Sequence, residues 1–157
     1  MNWEKTLDKY TAVIEEHLKK YLDETTKDAG AYHPFIGKVY TDIVEFVLRK
    51  GKRLASCSTL LTYKGYAGEV DERILKVCIG VELYRHAILV HDDLVDLDDS
   101  RRGGSTLHKK FMNSYSPYDS RFGDGAAVFA GNITYALGIR ALIESGFPPE
   151  TINRVCV

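Results

Sequence analysis

Positive charge is not in excess in this chain: 21 lysines and arginines stand against 22 aspartates and glutamates, for a net charge of −1. That balance leaves no basic stripe of the kind nucleic-acid binding requires, so no nucleic-acid partner is expected. Cysteine is scarce. Cys57, Cys78 and Cys156 are odd in number and lack the paired spacing of a zinc site, so they read as reduced thiols of a cytoplasmic protein. The start, Met-Asn-Trp-Glu-Lys, lacks a basic-then-apolar signal pattern. No apolar run stands out as long enough to cross a bilayer, so no transmembrane segment is expected. Period-two alternation is missing as well, which argues against a sheet, and there is no internal repeat or low-complexity segment.

What is present is helical periodicity over 157 residues that are 45% hydrophobic, enough for one domain with a sizeable core. Trp3, Leu7, Tyr10, Ile14, Leu18 and Tyr21 recur at spacings of three and four, predicting an amphipathic helix over 3–25 that breaks near Asp28, Gly30 and Pro34. A second helix is predicted over 35–50, with Gly51 as its C-cap and Arg49, Lys50 and Lys52 suiting the negative end of its dipole. A third runs over 54–63 and stops at Gly65 to Gly68. Asp71 is a good N-cap for a long fourth helix reaching about Asp98. Residues 103–125 read as loop, with a polar, proline-marked stretch at 113–120 placed as a lid. A small-residue helix over 126–144 follows, in which Gly131 and Gly138 permit close packing. A turn at 146–150 then leads into a last helix. The architecture expected is an all-α antiparallel helical bundle.

One stretch departs from ordinary surface composition. Residues 91–103 read His-Asp-Asp-Leu-Val-Asp-Leu-Asp-Asp-Ser-Arg-Arg-Gly. On a helix Asp92, Asp93 and Asp96 share one patch, and like charges at that spacing destabilise it unless solvated or neutralised. The apolar approach through Val81, Leu83, Tyr84, Ala87, Ile88, Leu89 and Val90 argues that this helix is buried, which favours a bound cation. Carboxylates without histidine or cysteine partners suit Mg²⁺, which binds through one or two carboxylates plus phosphate oxygens, and a guanidinium fork fits phosphate as well. The joint inference is a diphosphate held between metal and arginine. A calcium loop starting at Asp96 fails, since Arg101 and Leu107 stand where its glycine and glutamate are needed.

The same run, with Thr106 and His108 after it, resembles the first aspartate-rich motif of the trans-isoprenyl diphosphate synthases, also called polyprenyl synthetases. The resemblance extends to Gly51, Lys52, Arg53 and Leu54, to Val81, Glu82 and Leu83, and to Phe129, Ala130, Gly131 and Asn132. It covers most of the chain but only the N-terminal half of a usual family member. It implies a bundle of the isoprenoid synthase type, incomplete at the C-terminus, with residues 1–157 forming the N-terminal half of that domain. It also implies Mg²⁺ as cofactor and loss of pyrophosphate from an allylic prenyl diphosphate, followed by attack of isopentenyl diphosphate. By resemblance, Asp92, Asp93 and Asp96 hold the metal and are catalytic. Arg101 contacts the allylic diphosphate, and Lys52, Arg53, Arg85 and Arg102 serve isopentenyl diphosphate. Asp98 and Asp99 are left as further ligands or solvated carboxylates.

The sequence departs from the family in three places. A second arginine of the upstream anchor is Ala55. A histidine seven residues before the first aspartate is Arg85, with His86 beside it. A Gly-Asp pair is Gly131 and Asn132. Arg85 either supplies the charge lost at Ala55, pairs with Glu82, or extends into solvent. If the acceptor site is eroded, a class I terpene synthase-like activity follows instead. The pocket floor is read at Ala87, Ile88 and Tyr84: a small residue about 7.5 Å below Asp92 and a ring about 12 Å below it suit prenyl chains of roughly twenty to twenty-five carbons, unless Ala87 is simply a helix contact. The second aspartate-rich motif is expected outside these residues, so the chain alone should not turn over. A homo- or hetero-oligomer is expected, with a separate C-terminal-half chain or a catalytic partner of which this is a non-catalytic subunit among the alternatives.

Overall fold

A computed structural model describes residues 3–114 and 120–156, so the centre of the expected 113–120 loop lies outside the described residues, as do Met1, Asn2 and Val157. The apolar stripe that starts at Trp3 forms α1 (Trp3–Tyr32), which continues through the break expected at Asp28 and Gly30. Gly30 serves as a contact there: a Cβ on Gly37 of α2 (Pro34–Val47) would lie 2.7 Å from the Gly30 Cα. Only His33 separates the two helices. Its Nδ1 accepts the Phe35 N–H at 3.1 Å, and Pro34 fills the first helical position, where no N–H is needed.

The chain then turns back along α1, for Arg53 beyond the end of α2 reaches Glu15. Helix α2 stops at Val47, earlier than expected, and Gly51 is not its cap; the left-handed residue of this linker is Arg53, at φ 45°. Helix α3 (Leu54–Ala67) passes through Gly65 and ends at Gly68, φ 83°, whose N–H bonds the Lys64 carbonyl at 2.9 Å. Asp71 caps α4 (Glu72–Val95) as expected, its Oδ1 accepting the Ile74 N–H at 3.0 Å. Helix α4 ends before Asp98: Leu97 takes φ 60°, and the Asp98 N–H returns to the Asp93 carbonyl at 2.9 Å, a Schellman turn.

Contrary to the expectation of no sheet, the chain contains one small hairpin. Two-residue strands β1 (Ser100–Arg101) and β2 (Gly104–Ser105) pair antiparallel, Arg101 opposite Gly104. Both loop residues have positive φ, 51° at Arg102 and 79° at Gly103, the signature of a type I′ hairpin. Strands this short cannot show alternation. The expected long loop is likewise mostly helix, α5 (Leu107–Ser114) and α6 (Ser120–Ile143). Gly123 belongs in α6 because a Cβ there would lie 2.6 Å from the His108 carbonyl oxygen of α5. Helix α7 (Pro149–Cys156) follows Gly146 at φ 83°.

Helix α6 runs antiparallel along α4, with Gly138 against Gly80 and Gly131 under the His91 ring. A main core of Leu18, Leu22, Ile43, Val47, Leu83, Phe111 and Ala130 joins five helices, each large aliphatic side chain contributing about 1.5–3 kcal/mol on burial. A second cluster, with Tyr10, Ile14, Cys57, Leu60 and Cys78, ties α1 to α3 and α4. By length and composition, residues 121–143 of α6 are apolar enough to cross a bilayer, contrary to the sequence expectation. In the fold Ala127, Ala130, Leu137 and Ala141 of this helix are buried against its neighbours.

Candidate functional site

The acidic run sits where α4 ends, so its carboxylates meet the negative end of the helix dipole as well as one another. Asp92 and Asp96 are exposed, whereas Asp93 is buried at 1% exposure and Asp96 is the C-cap. The Schellman turn folds Asp98 back, and the hairpin returns Arg101 onto the cluster. Arg101 Nε donates to Asp93 Oδ1, while its Nη2 lies 3.2 Å from Asp98 Oδ2 and 3.5 Å from Asp92 Oδ2. One guanidinium therefore gathers Asp92, Asp93 and Asp98, and the trio singled out in the sequence is divided, Asp96 being the exposed cap of α4.

Asp93 Oδ2 is buried with no hydrogen-bond partner among the described residues. An orphaned acceptor of this kind costs about 1–3 kcal/mol. Burial holds the Asp93 carboxyl above its ordinary pKa, against the opposing pull of Arg101. A free buried oxygen within an all-carboxylate donor set fits Mg²⁺. Among the described residues no three histidine, cysteine or carboxylate side chains close on one point, so a cation here would share its shell with water or phosphate oxygens.

Arg102, the next residue of the hairpin, reaches the opposite way. Its Nη1 lies 3.3 Å from His86 Nε2, and a Cβ on Gly51 would stand 2.9 Å from the same nitrogen. Glycine at 51 leaves room for this guanidinium to lie over the linker. Burial first, and then the charges of Arg85 and Arg53, pull the Arg102 pKa below its ordinary value. Lys52 is exposed and Arg85 half-buried, so Lys52, Arg85 and Arg102 offer accessible positive charge.

Arg53 is placed differently from these three. It is 2% exposed, and its guanidinium binds Glu82 Oε2 at 3.1 Å, Glu15 Oε1 at 3.2 Å and the Val47 carbonyl at 2.9 Å. Glu82 takes a further bond from Ser56 Oγ at 2.7 Å and so pairs with Arg53, not with Arg85. Removing one partner of a buried pair like this costs about 3–5 kcal/mol. Arg53 thus bolts the linker from which Lys52 projects.

Arg49, read in the sequence only as a dipole partner, is a clamp. Its Nη1 donates to the Arg101 carbonyl at 3.0 Å and its Nη2 to the Ser105 carbonyl at 2.9 Å, while Glu45 grips it at 2.8 and 2.7 Å. A Cβ on Gly104 would lie 2.5 Å from its Cζ. The i,i+4 spacing of Glu45 and Arg49 was the single sequence signal. Below the aspartates, Tyr84 and Ile88 are half-exposed on α4, and the Tyr84 ring meets Tyr135 of α6 at 5.8 Å. A groove of about 360 Å³ opens there between Val81, Tyr84, Tyr135, Ile139 and Leu142. Ala87 is buried at 2% and faces the helix packing, away from this groove.

The sequence model of the family described as polyprenyl synthetase matches residues 37–155. A short chain isoprenyl diphosphate synthase of Methanocaldococcus jannaschii is 30% identical over 129 residues, 82% of this chain and 32% of that protein. Component 2 of a heptaprenyl diphosphate synthase of Geobacillus stearothermophilus is 32% identical over 152 residues, 92% of this chain and 40% of that protein. The crystal structure of geranylgeranyl pyrophosphate synthase from Corynebacterium glutamicum, complexed with isoprenyl diphosphate and magnesium, matches with a TM-score of 0.80 at 26% identity, over 94% of this chain and 44% of that one. The chain spans less than half the length of each.

Proposed function

The chain belongs to the polyprenyl synthetase family, and we propose that it forms the first metal and diphosphate face of a prenyltransferase that ionises an allylic prenyl diphosphate and joins it to isopentenyl diphosphate. The observation that carries this reading is the hairpin. It delivers adjacent arginines to two different fields, Arg101 to the carboxylates at the end of α4 and Arg102 to His86 and the charges of Arg85 and Arg53.

In this reading Asp92, Asp93 and Asp96 hold Mg²⁺, whose charge offsets that of the departing pyrophosphate. Arg101 exchanges its carboxylate bonds for the oxygens of the allylic diphosphate, a match of forked donor to tetrahedral acceptor. Lys52, Arg85 and Arg102 take isopentenyl diphosphate, and Arg53 acts from behind by fixing their linker. The charge of Arg85 bears on Arg102, which supports a compensation for Ala55. Tyr84 and Ile88 face the prenyl chain, whose length we place at geranylgeranyl to geranylfarnesyl. The remaining metal ligands come from residues outside these 157, on this or a second polypeptide. Similarity to a heptaprenyl synthase component favours a heteromeric assembly. Free Cys57, Cys78 and Cys156 support a cytoplasmic location.

The test is incubation of the protein, with any chain that co-purifies, with Mg²⁺, geranylgeranyl diphosphate and labelled isopentenyl diphosphate. Label in a longer prenyl diphosphate is expected. Pyrophosphate or hydrocarbon released without label would instead make Ala55 the decisive difference and the protein terpene synthase-like. A chain that binds its partner tightly but no diphosphate would be a non-catalytic subunit.

A further inference from the structure

We infer that His86 is a positioning residue, whose Nε2 lone pair holds the Arg102 guanidinium over Gly51 and so aims it at a diphosphate. The inference rests on the prenyltransferase reading for the identity of that anion, but the geometry that carries it is independent of the reading. His86 Nδ1 lies 2.7 Å from the Glu82 carbonyl oxygen, which can only accept. The ring proton is therefore on Nδ1, and Nε2 of the neutral ring is an acceptor. Two donors face it, Arg102 Nη1 at 3.3 Å and Arg53 Nη1 at 3.4 Å.

The groups around the ring leave no place for a second proton. Glu82 lies on its own helix, with Oε2 3.7 Å from Nδ1 and already bound to Arg53 and Ser56 through its two oxygens. Arg53 comes from the linker and Arg102 from the hairpin, so among the described residues the two groups within hydrogen-bond distance of Nε2 are both guanidinium donors. Helix α2 contributes the Phe46 ring, edge-on at 6.2 Å. The ring is 1% exposed, and burial pushes its pKa down to about 4.

A neutral acceptor suits the task better than a carboxylate would. It orients a long, flexible guanidinium without cancelling its charge, leaving Arg102 with its full attraction for an anion. Arg49 holds the hairpin backbone at Arg101 and Ser105, and His86 holds the tip of the next side chain. Arg53, behind the ring, ties the bridge to the buried ion pair with Glu82.

The test uses ring ¹⁵N NMR on ¹⁵N-histidine-labelled protein, with calorimetric titration of inorganic pyrophosphate in the absence of Mg²⁺. His86 should show a protonated Nδ1 and an unprotonated Nε2 that does not titrate from about pH 5.5 to 8, and R102Q should shift the Nε2 resonance. His86→Leu should weaken pyrophosphate binding roughly tenfold, while His86→Gln, which keeps an acceptor, restores most of it. Because Arg102 is exposed, R102Q reads the bridge even if H86L fails to fold. A protonated Nε2, an Nε2 resonance unmoved by R102Q, or unchanged pyrophosphate affinity in folded H86L overturns the proposal. Failure of the unsubstituted protein to bind pyrophosphate both without and with Mg²⁺ overturns the prenyltransferase reading instead, and the NMR response then decides the bridge on its own.

Discussion

Replacing Arg49 with methionine should loosen the hairpin that carries Arg101 and Arg102 while leaving the helical bundle folded. The side chain is only 8% exposed, so solvent screening is minor, and methionine keeps contact with the Phe46 ring that Arg49 covers. Two hydrogen bonds from a charged donor to the Arg101 and Ser105 carbonyls are lost. Such bonds contribute about 1.5–3 kcal/mol each, and rehydration of the freed carbonyls leaves a net cost of about 2–3 kcal/mol. Glu45 keeps Lys110 at 3.2 Å, so no carboxylate is stranded. The cost therefore falls on local opening of the hairpin. Hydrogen exchange of the β1 and β2 amides, and of Thr106, which bonds the Asp99 carbonyl at 3.2 Å, should speed up roughly 30- to 150-fold. Core amides of α4 and α6 should be unchanged. Lysine at this position should behave like methionine, since one ammonium cannot fork to two carbonyls and a carboxylate. Unchanged exchange in the hairpin, or uniformly faster exchange throughout, would refute the clamp.

Three further outcomes follow from other parts of the structure. The His86 pKa is depressed from 6.5 to about 4 in the folded state, so its contribution to stability is complete above about pH 6.5 and is lost as pH falls towards 4. Urea unfolding should show up to about 3 kcal/mol of acid sensitivity from this group. His86→Gln should flatten that pH profile, and a profile as steep as before would contradict the burial argument. Gly80→Ala should destabilise by about 1–3 kcal/mol, because its Cβ would lie 2.7 Å from Leu142 and 3.0 Å from the Gly138 carbonyl oxygen; an unchanged melting temperature would contradict that packing. Ile88→Phe, on the half-exposed face below Asp92, should shorten the longest prenyl diphosphate that binds, whereas Ala87→Phe should chiefly destabilise the fold, since Ala87 is buried. Unaltered chain-length preference in I88F would remove Ile88 from the pocket.

Helices α1 to α4 were legible because apolar residues recur at helical spacing and because Gly68 and Asp71 cap α3 and α4, whereas α5 was read as loop. Gly30 and Gly51 misled for one shared reason, and Gly123 lies in a stretch read as loop although it permits an approach of the same kind. A glycine that permits a close approach looks in sequence like one that ends a helix, and only the opposing partner, Gly37, Arg102 or the His108 carbonyl, tells them apart. The acidic run was legible as a cluster of carboxylates, but the third carboxylate that Arg101 gathers is Asp98, brought back by a turn whose left-handed residue is a leucine. Asp96, spaced like a partner, is the helix cap. The contacts of Arg49 and His86 were not legible. Their partners lie 52 and 16 positions away and are a backbone carbonyl and another arginine, pairings that no charge pattern signals.

The central claim, a metal-dependent diphosphate site at the end of α4, is tested most directly by the affinity of the protein for geranylgeranyl diphosphate with and without Mg²⁺, compared with Asp93→Asn. Binding should strengthen at least about tenfold with Mg²⁺ in the unsubstituted protein, and D93N, which keeps the shape but loses the charge of the buried ligand, should abolish that gain. Equal affinity with and without Mg²⁺, or a Mg²⁺ gain that survives in D93N, would contradict the account.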